Sequence, residues 1–264
     1  MRQLRGVAHV HSTYSFDGRL TLAELAEFFA KRGIHFVLMS EHMESLDAEK
    51  LRSFIADCGT YSGDSFLLIP GIEIDDLNAL FYNVQPLTGW RDCRDLAGQL
   101  AAGGALVGVS HPVKIRTEIP DITKSLVEGV EIWNSRHDGK MALDGRNVRY
   151  WRSLRRRAGR DLAPLCGIDF HDMSDFARLF LEVQCESLDA QCIMAAVRAK
   201  RYRITLGEKP IPLDFVTGRL PTGYRVYVAL YRLVYKAVYS AHRTITRRRY
   251  RVPAWLKSRL RRIF

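Results

Sequence analysis

The chain is punctuated by short, almost wholly apolar runs, and most of them end on a histidine or a carboxylate. Gly6–Val10 is followed by His11, Phe36-Val37-Leu38-Met39-Ser40 by Glu41-His42, and Ile69-Pro70-Gly71-Ile72 by Glu73. Ala105–Ser110 leads into His111, and Ala163–Ile168 into Asp169-Phe170-His171. Ile69–Ile72 apart, runs this short and this apolar read as strands buried on both faces. Phe66–Ile69, Leu80–Val84, Val130–Trp133 and Leu179–Val183 are further strand candidates. Leu20–Arg32, ended by Gly33, is amphipathic, and Thr21 stands three residues before Glu24 as a capping box requires. Further helices are expected over roughly 48–60, 92–102, 144–158 and 188–199. The alternation predicts an α/β protein built on a mostly parallel sheet or barrel, with its polar strand ends gathered where such barrels build their sites.

Side chains alternate along a strand, so His9 and His11 share one face and can bind a single metal ion together. Asp169 and His171 repeat the same spacing. With Asp17, His42, Glu73 and His111 they bring imidazoles and carboxylates from six segments, a donor set suited to divalent Zn, Mn or Fe. Several ions need a bridging carboxylate, and Glu73 is the candidate. Clustered divalent ions lower the pKa of bound water and stabilise an in-line displacement at phosphorus. Each pair alone reads as an ordinary polar strand end; their joint occurrence points to a metal centre.

Five motifs in order resemble those of the PHP (polymerase and histidinol phosphatase) superfamily. They are His9-Val10-His11-Ser12 with Ser15-Phe16-Asp17-Gly18, Met39-Ser40-Glu41-His42, Pro70-Gly71-Ile72-Glu73, Ser110-His111-Pro112 and Gly167-Ile168-Asp169-Phe170-His171. The resemblance covers residues 6–171. It implies a distorted (β/α)7 barrel holding two or three divalent ions, with phosphoester hydrolysis as its chemistry. On that resemblance His9, His11, Glu73 and Asp169 look like ligands of one ion, and Glu73 is shared with a second ion held by His111. Asp17, which many members replace with His, joins His42 and His171 around a third. A further family histidine is matched by His137, with Glu128, Glu131 and Asn134 as other residues able to take its place. Asp169 and His171 are the expected catalytic residues; either His171 or a water on the metal gives the leaving alcohol its proton. Glu41 is left out of the site, as facing away or capping the next helix.

Phosphate calls for cationic partners, and Arg offers a bidentate fork. Lys114 lies just past His111-Pro112, Arg136 just past Val130–Trp133, and Arg178 seven residues after His171. These three are the candidate substrate-binding residues, each equally readable as a solvated surface charge. The Arg155-Arg156-Arg157 cluster ends a helix, where cations suit the dipole.

Charge is distributed unevenly. Residues 219–264 hold 13 of the 40 Lys and Arg and none of the 29 Asp and Glu. The composition break after Pro210-Ile211-Pro212 separates an expected barrel, 1–214, from a basic amphipathic extension, 215–264. On a helix over 222–250, Tyr224, Tyr227, Tyr231, Tyr235 and Tyr239 share one face, while Arg225, Arg232, Lys236 and Arg243 form a separate stripe. Tyrosines and cations flanking an aliphatic body suit a helix in an anionic membrane interface, here the inner face. Packing as an ordinary terminal helix and binding nucleic acid through phosphates are the alternatives. The five cysteines form no CxxC pair, and the N-terminus has no signal-like stretch, so a reducing, cytoplasmic compartment is expected. The chain reads as a hydrolase of a small phosphorylated metabolite or nucleotide. Exonuclease-like cleavage of nucleic acid, or non-catalytic metal binding at a membrane, are the alternatives.

Overall fold

The computed structural model describes residues 1–112, 114 and 118–247. The rest of the basic extension lies outside the described residues, as do the side chains of Tyr239 and Arg243. The first half runs β1 (Arg2–Val10), α1 (Leu22–Ala30), β2 (Phe36–Met39), β3 (Glu41–His42), α2 (Ala48–Thr60), β4 (Leu67–Ile69), β5 (Gly71–Ile74) and β6 (Ala79–Tyr82). Then come α3 (Cys93–Ala102), β7 (Leu106–Val109), α4 (Asp121–Leu126), β8 (Gly129–Asn134), α5 (Ser135–Asp138), α6 (Gly145–Ala158) and β9 (Ala163–Gly167). The chain finishes with β10 (Leu179–Cys185), α7 (Ala190–Arg198), β11 (Tyr202–Leu206), β12 (Lys209–Pro210) and α8 (Thr222–Arg247).

The strands form two six-stranded sheets, ordered β12-β11-β10-β1-β2-β4 and β3-β5-β6-β7-β8-β9. The sheets adjoin where β2 runs on into β3 across Ser40 and β4 into β5 across Pro70. Proline has no N–H to give a ladder, which accounts for the second break. On the other side Val10 bridges Phe170 in parallel, and Ile168 and Phe170 donate to the carbonyls of Ala8 and His9 at 2.9 and 3.0 Å. The end of β1 therefore lies along the line where both sheets converge.

The sheets are mixed, not mostly parallel. β1, β2 and β4 pair in parallel, as do β7, β8 and β9, but β5–β6–β7 and β1–β10–β11 are antiparallel. Asp75–Asn78 is too short for a crossover, which needs about a dozen residues, so β5 and β6 close as a hairpin. Helix starts follow the sequence: Thr21 and Glu24 form the capping box, and Asp47, Asp92, Asp144 and Asp189 each cap a helix with a side-chain oxygen. Trp133, Trp151, Phe29, Phe36, Phe54 and Phe170 fill the core, and the two indole N–H groups donate to the carbonyls of Gly139 and Leu162. In α8, Val228 is buried, Tyr224 and Tyr231 pack on the core, and the Tyr227 hydroxyl donates to Met141 O at 2.8 Å.

Gly71 lets β5 lie this close to its neighbours. A Cβ there would sit 2.0 Å from Met39 O and 2.8 Å from Phe81 O, and neither is a side chain that can swing away. Gly71→Ala is expected to cost about 2–3 kcal/mol, the scale of overpacking a filled interior. Urea denaturation should show a lower midpoint at unchanged slope.

Candidate metal centre

His9, His11, His42, Glu73, His111, Asp169 and His171 are all buried within the convergence of the two sheets. Their backbone departs from simple strand alternation. His9 has φ 62°, and the β1–β2 register shifts between Ala8 and Val10, so the pair sits on a bulge at the strand end. His111 and Asp169 also have positive φ, 21° and 50°. Such conformations cost of order 1–3 kcal/mol each and persist where the surroundings dictate them.

Glu73 is the hub. Its Oε2 lies 3.1 Å from His9 Nε2 and 3.6 Å from His11 Nε2, and its Oε1 lies 3.1 Å from His111 Nε2. His42 Nδ1 is 3.7 Å from Oε2. Asp169 is the second hub: Oδ2 is 2.9 Å from His137 Nε2, and Oδ1 is 3.4 Å from His171 Nδ1 and 3.8 Å from His11 Nε2. Asp17 reaches in from its loop, 3.0 Å from His171 Nε2 and 3.6 Å from His42 Nε2.

Donor atoms come within 4.8 Å of one another in four sets: His11, Asp17, His42 and His171; His9, His11 and Glu73; His9, His111 and Asp169; and His42, Glu73 and Asp75. Eight of the nine residues expected from the sequence fall in these sets. His137 does not; besides Asp169, its Nε2 lies 3.1 Å from Lys114 Nζ. The donors fit divalent cations. His11 Nε2, Asp17 Oδ1, His42 Nδ1 and His111 Nδ1 are buried with no hydrogen-bond partner, and buried polar atoms without partners are rare unless a ligand claims them.

The electrostatics follow from burial and crowding. Burial would raise the Glu73 carboxyl, but the facing imidazoles of His9 and His111 hold it well below the usual carboxylate range. Asp169 is likewise held low against burial, by His9 and a hydrogen bond to His137. Burial, then the neighbouring His9, push His11 well below the usual imidazole value, leaving a neutral ring with the lone pair that ligation requires.

Several further residues support the cluster from behind. Glu131 stands behind the imidazoles: Oε1 is 3.0 Å from His9 Nδ1, while Oε2 accepts from the His111 backbone N–H at 2.7 Å and from Asn134 Nδ2 at 3.1 Å. Glu131 and Asn134 thus orient the cluster from behind, and Glu128 is on the outer surface, paired with Arg198 at 2.8 Å. Glu131 is the lone carboxylate inside the apolar run Val130–Trp133. Glu41 is fully buried and accepts from Ser12 N–H, Ser12 Oγ and Ser15 Oγ, fixing the loop that carries His11. Asp75, more exposed, stands at the rim with Oδ2 3.7 Å from His42 Nδ1.

A cavity of about 210 Å³ opens over the cluster, with Phe16, Asp75, Lys114 and Arg136 among its lining residues. Arg136 contacts His171 Nδ1 and lies 3.8 Å from both Asp169 Oδ1 and Asp175 Oδ2. Arg178 is not brought to this cavity. Just before β10, its guanidinium turns to β11 and lies beside Gly207, 3.7 Å from Glu208.

Glu131 makes a sharp test of the support. An amide at this position can still accept from His9 Nδ1–H, but its NH2 then faces the His111 N–H. Glu131→Gln is expected to weaken divalent metal binding by about tenfold, and Glu131→Ala by about a hundredfold, the range for partners of ligating histidines. Titration calorimetry with Zn²⁺ and Mn²⁺ measures both.

No family model matches the chain. Over 83 residues, 28% of its length, the chain is 29% identical to the DNA polymerase/3'-5' exonuclease PolX of Bacillus subtilis, a match spanning 14% of that protein. In structure it is similar to a two-domain protein of Bacteroides vulgatus containing a predicted PHP-like metal-dependent phosphoesterase. The TM-score is 0.61 at 16% identity, covering 82% of this chain and 69% of that one. PsfC from Pseudomonas syringae gives a TM-score of 0.49 at 12% identity, with 89% and 99% covered. With its five motifs in order and this architecture around them, the chain has the fold of the PHP-like metal-dependent phosphoesterases.

Proposed function

We propose that the chain is a metal-dependent phosphoesterase acting on a small phosphorylated metabolite or nucleotide. One observation carries the reading: a single cavity places the carboxylate–imidazole cluster beneath two cations, Lys114 and Arg136. The two sheets are read as opposed parts of a distorted (β/α)7 barrel. His9, His11, Glu73 and Asp169 would hold one divalent ion, Glu73 and His111 a second, and Asp17, His42 and His171 a third, with His137 beside Asp169. Zn, Mn or Fe in these positions would supply an activated water at neutral pH and neutralise charge developing on the phosphoryl oxygens.

The protein side chains do the rest. Lys114 and Arg136 receive phosphoryl oxygens at the rim, and the Arg fork can engage two at once. His171 is held at both nitrogens: Nδ1 contacts Arg136 and lies 3.1 Å from Asp169 O, while Nε2 faces Asp17 Oδ2 at 3.0 Å. Off the metal and protonated on both nitrogens, the His171 ring at the cavity wall can give its Nε2 proton to a leaving alkoxide and return to neutral imidazole. Phe16, stacked on His42 at 4.9 Å between centroids, covers one side of the cluster with an apolar ring.

The stretch shared with a protein named as an exonuclease favours a second reading, cleavage of phosphodiesters in nucleic acid. Phosphate or nucleotide release by the full chain, loaded with each metal and offered phosphomonoesters, nucleotides and short oligonucleotides, separates the two. Asp169→Asn/His171→Ala is expected to lower turnover by about a thousandfold, the scale of losing metal assistance. Absence of turnover from a folded, metal-loaded chain would overturn both readings.

His171 has a test of its own. If it donates the leaving proton, His171→Gln keeps its metal content and slows alkyl phosphates about a hundredfold, while p-nitrophenyl phosphate, whose leaving group needs no proton, slows far less. A ligand role instead predicts loss of metal and equal slowing of both.

A further inference from the structure

Away from the candidate centre, α6 and α8 lie side by side and carry the densest positive charge among the described residues. Arg146, Arg149, Arg152, Arg156 and Arg160 are exposed at spacings of three and four, so they form one stripe along α6 and just past its end. Between the helices runs a groove of about 350 Å³ lined by Arg146, Arg149, Arg225, Arg232 and Lys236. Asp144 is the one carboxylate in that lining among the described residues, and Arg146 and Arg232 already engage it. Arg149, Arg225 and Lys236 have no ion-pair partner among the described residues.

Beside this groove α8 exposes aliphatic surface. Val226, Leu230, Leu233 and Val234 are 53, 58, 67 and 52% exposed, and their spacing places them along one stripe. Two tyrosines of the same helix turn the other way. Tyr224 and Tyr231 pack on the core, and Tyr227 is tied to Met141 O. An aliphatic stripe left outward beside unpaired cations is the pattern of a helix that lies in a lipid interface.

We propose that the α6–α8 face docks on an anionic lipid bilayer, with Val226, Leu230, Leu233 and Val234 entering the acyl boundary and lipid phosphates occupying the groove. Charge complementarity selects this occupant. The sequence from 219 onward adds cation after cation without one acid, and Trp255, Leu256, Leu260, Ile263 and Phe264 continue the basic–apolar mixture. Pairing with a second copy through this face would set those cations against each other. Nucleic acid would use exposed aromatic platforms, but Tyr224 and Tyr231 pack on the core, Tyr227, 41% exposed, is tied to Met141 O, and the outward stripe is aliphatic. The proposal is independent of the reaction assigned to the cavity.

Co-sedimentation of the full chain with vesicles of phosphatidylcholine, with and without phosphatidylglycerol, tests it. Binding is expected only with the anionic lipid and should fall as salt rises. Arg149→Gln/Arg225→Gln should lower the partition coefficient by about 25-fold, two charges at about fivefold each. Leu230→Glu/Leu233→Glu should abolish partitioning while leaving the melting temperature unchanged, since both residues are exposed. Equal binding to neutral vesicles, or none to anionic ones, overturns the proposal. So does lipid binding that survives Leu230→Glu/Leu233→Glu. A gel shift of a single-stranded oligonucleotide lost in Arg149→Gln/Arg225→Gln, without lipid binding, reassigns the face to nucleic acid. A dimer in sedimentation velocity that Leu230→Glu/Leu233→Glu dissolves reassigns it to self-association.

Discussion

Four imidazoles converge on the buried carboxylate of Glu73, and most of the fold can be read as the means of holding it there. Burying a carboxylate is costly unless charge and hydrogen bonds compensate it on the spot. Glu73 therefore cannot be approached by one histidine alone; it needs groups from β1, β3 and the turn after β7 together. That requirement explains why β5 presses so close to its neighbours that only Gly71 fits, and why His9, His111 and Asp169 accept left-handed backbone. Strain is concentrated where the cluster demands a geometry that regular strands do not supply.

A second ring of acids stands behind the first. Glu131 grips His9 and the backbone of His111, Glu41 ties the loop of His11, and neither faces the cavity. Gly167 belongs to the same arrangement, since a Cβ there would lie 2.0 Å from Glu131 Oε1 and 2.6 Å from His9 Cβ. Carboxylates in this position fix the tautomer and tilt of an imidazole and raise its basicity toward a cation. The aiming of the donors is thus a property of residues that never touch substrate.

The residues at the strand ends were legible in the sequence because a buried apolar run makes the polar residue that ends it conspicuous. β5 itself was not, since Pro70 and Gly71 interrupt the pattern just where the strand begins. The antiparallel pairs were also hidden: a hairpin such as β5–β6 depends on a four-residue turn, and helices elsewhere suggested crossovers. Glu131 was weighed as a stand-in ligand, because a lone carboxylate in an apolar strand shows that it must be paired without showing with what. Arg178 shows the converse: seven residues from His171 along the chain, it is turned away from the cavity toward Glu208. In α8, Tyr224, Tyr227, Tyr231 and Tyr235 neighbour one another along one face, as their spacing predicts, but which face meets the body depends on Met141, Asp144 and the core beneath them.

The segment from Asn134 to Asp144 joins these two regions. Asn134 caps α5 and reaches Glu131 and Asp169 on the cluster side, while Arg136 and His137 project into the cavity. From Gly139 to Asp144 the same stretch is gripped from outside: Tyr231 packs where a side chain on Gly139 would begin, Tyr227 holds Met141 O, and Arg232 pairs with buried Asp144. Trp133 closes the arrangement by donating to Gly139 O at 2.9 Å. A short helix of four residues has little stability of its own, so the placement of its two cavity-facing side chains rests on anchors at both ends. One of those anchors is α8. The helix that carries the outward aliphatic stripe is therefore also part of what positions Arg136 and His137 over the cluster.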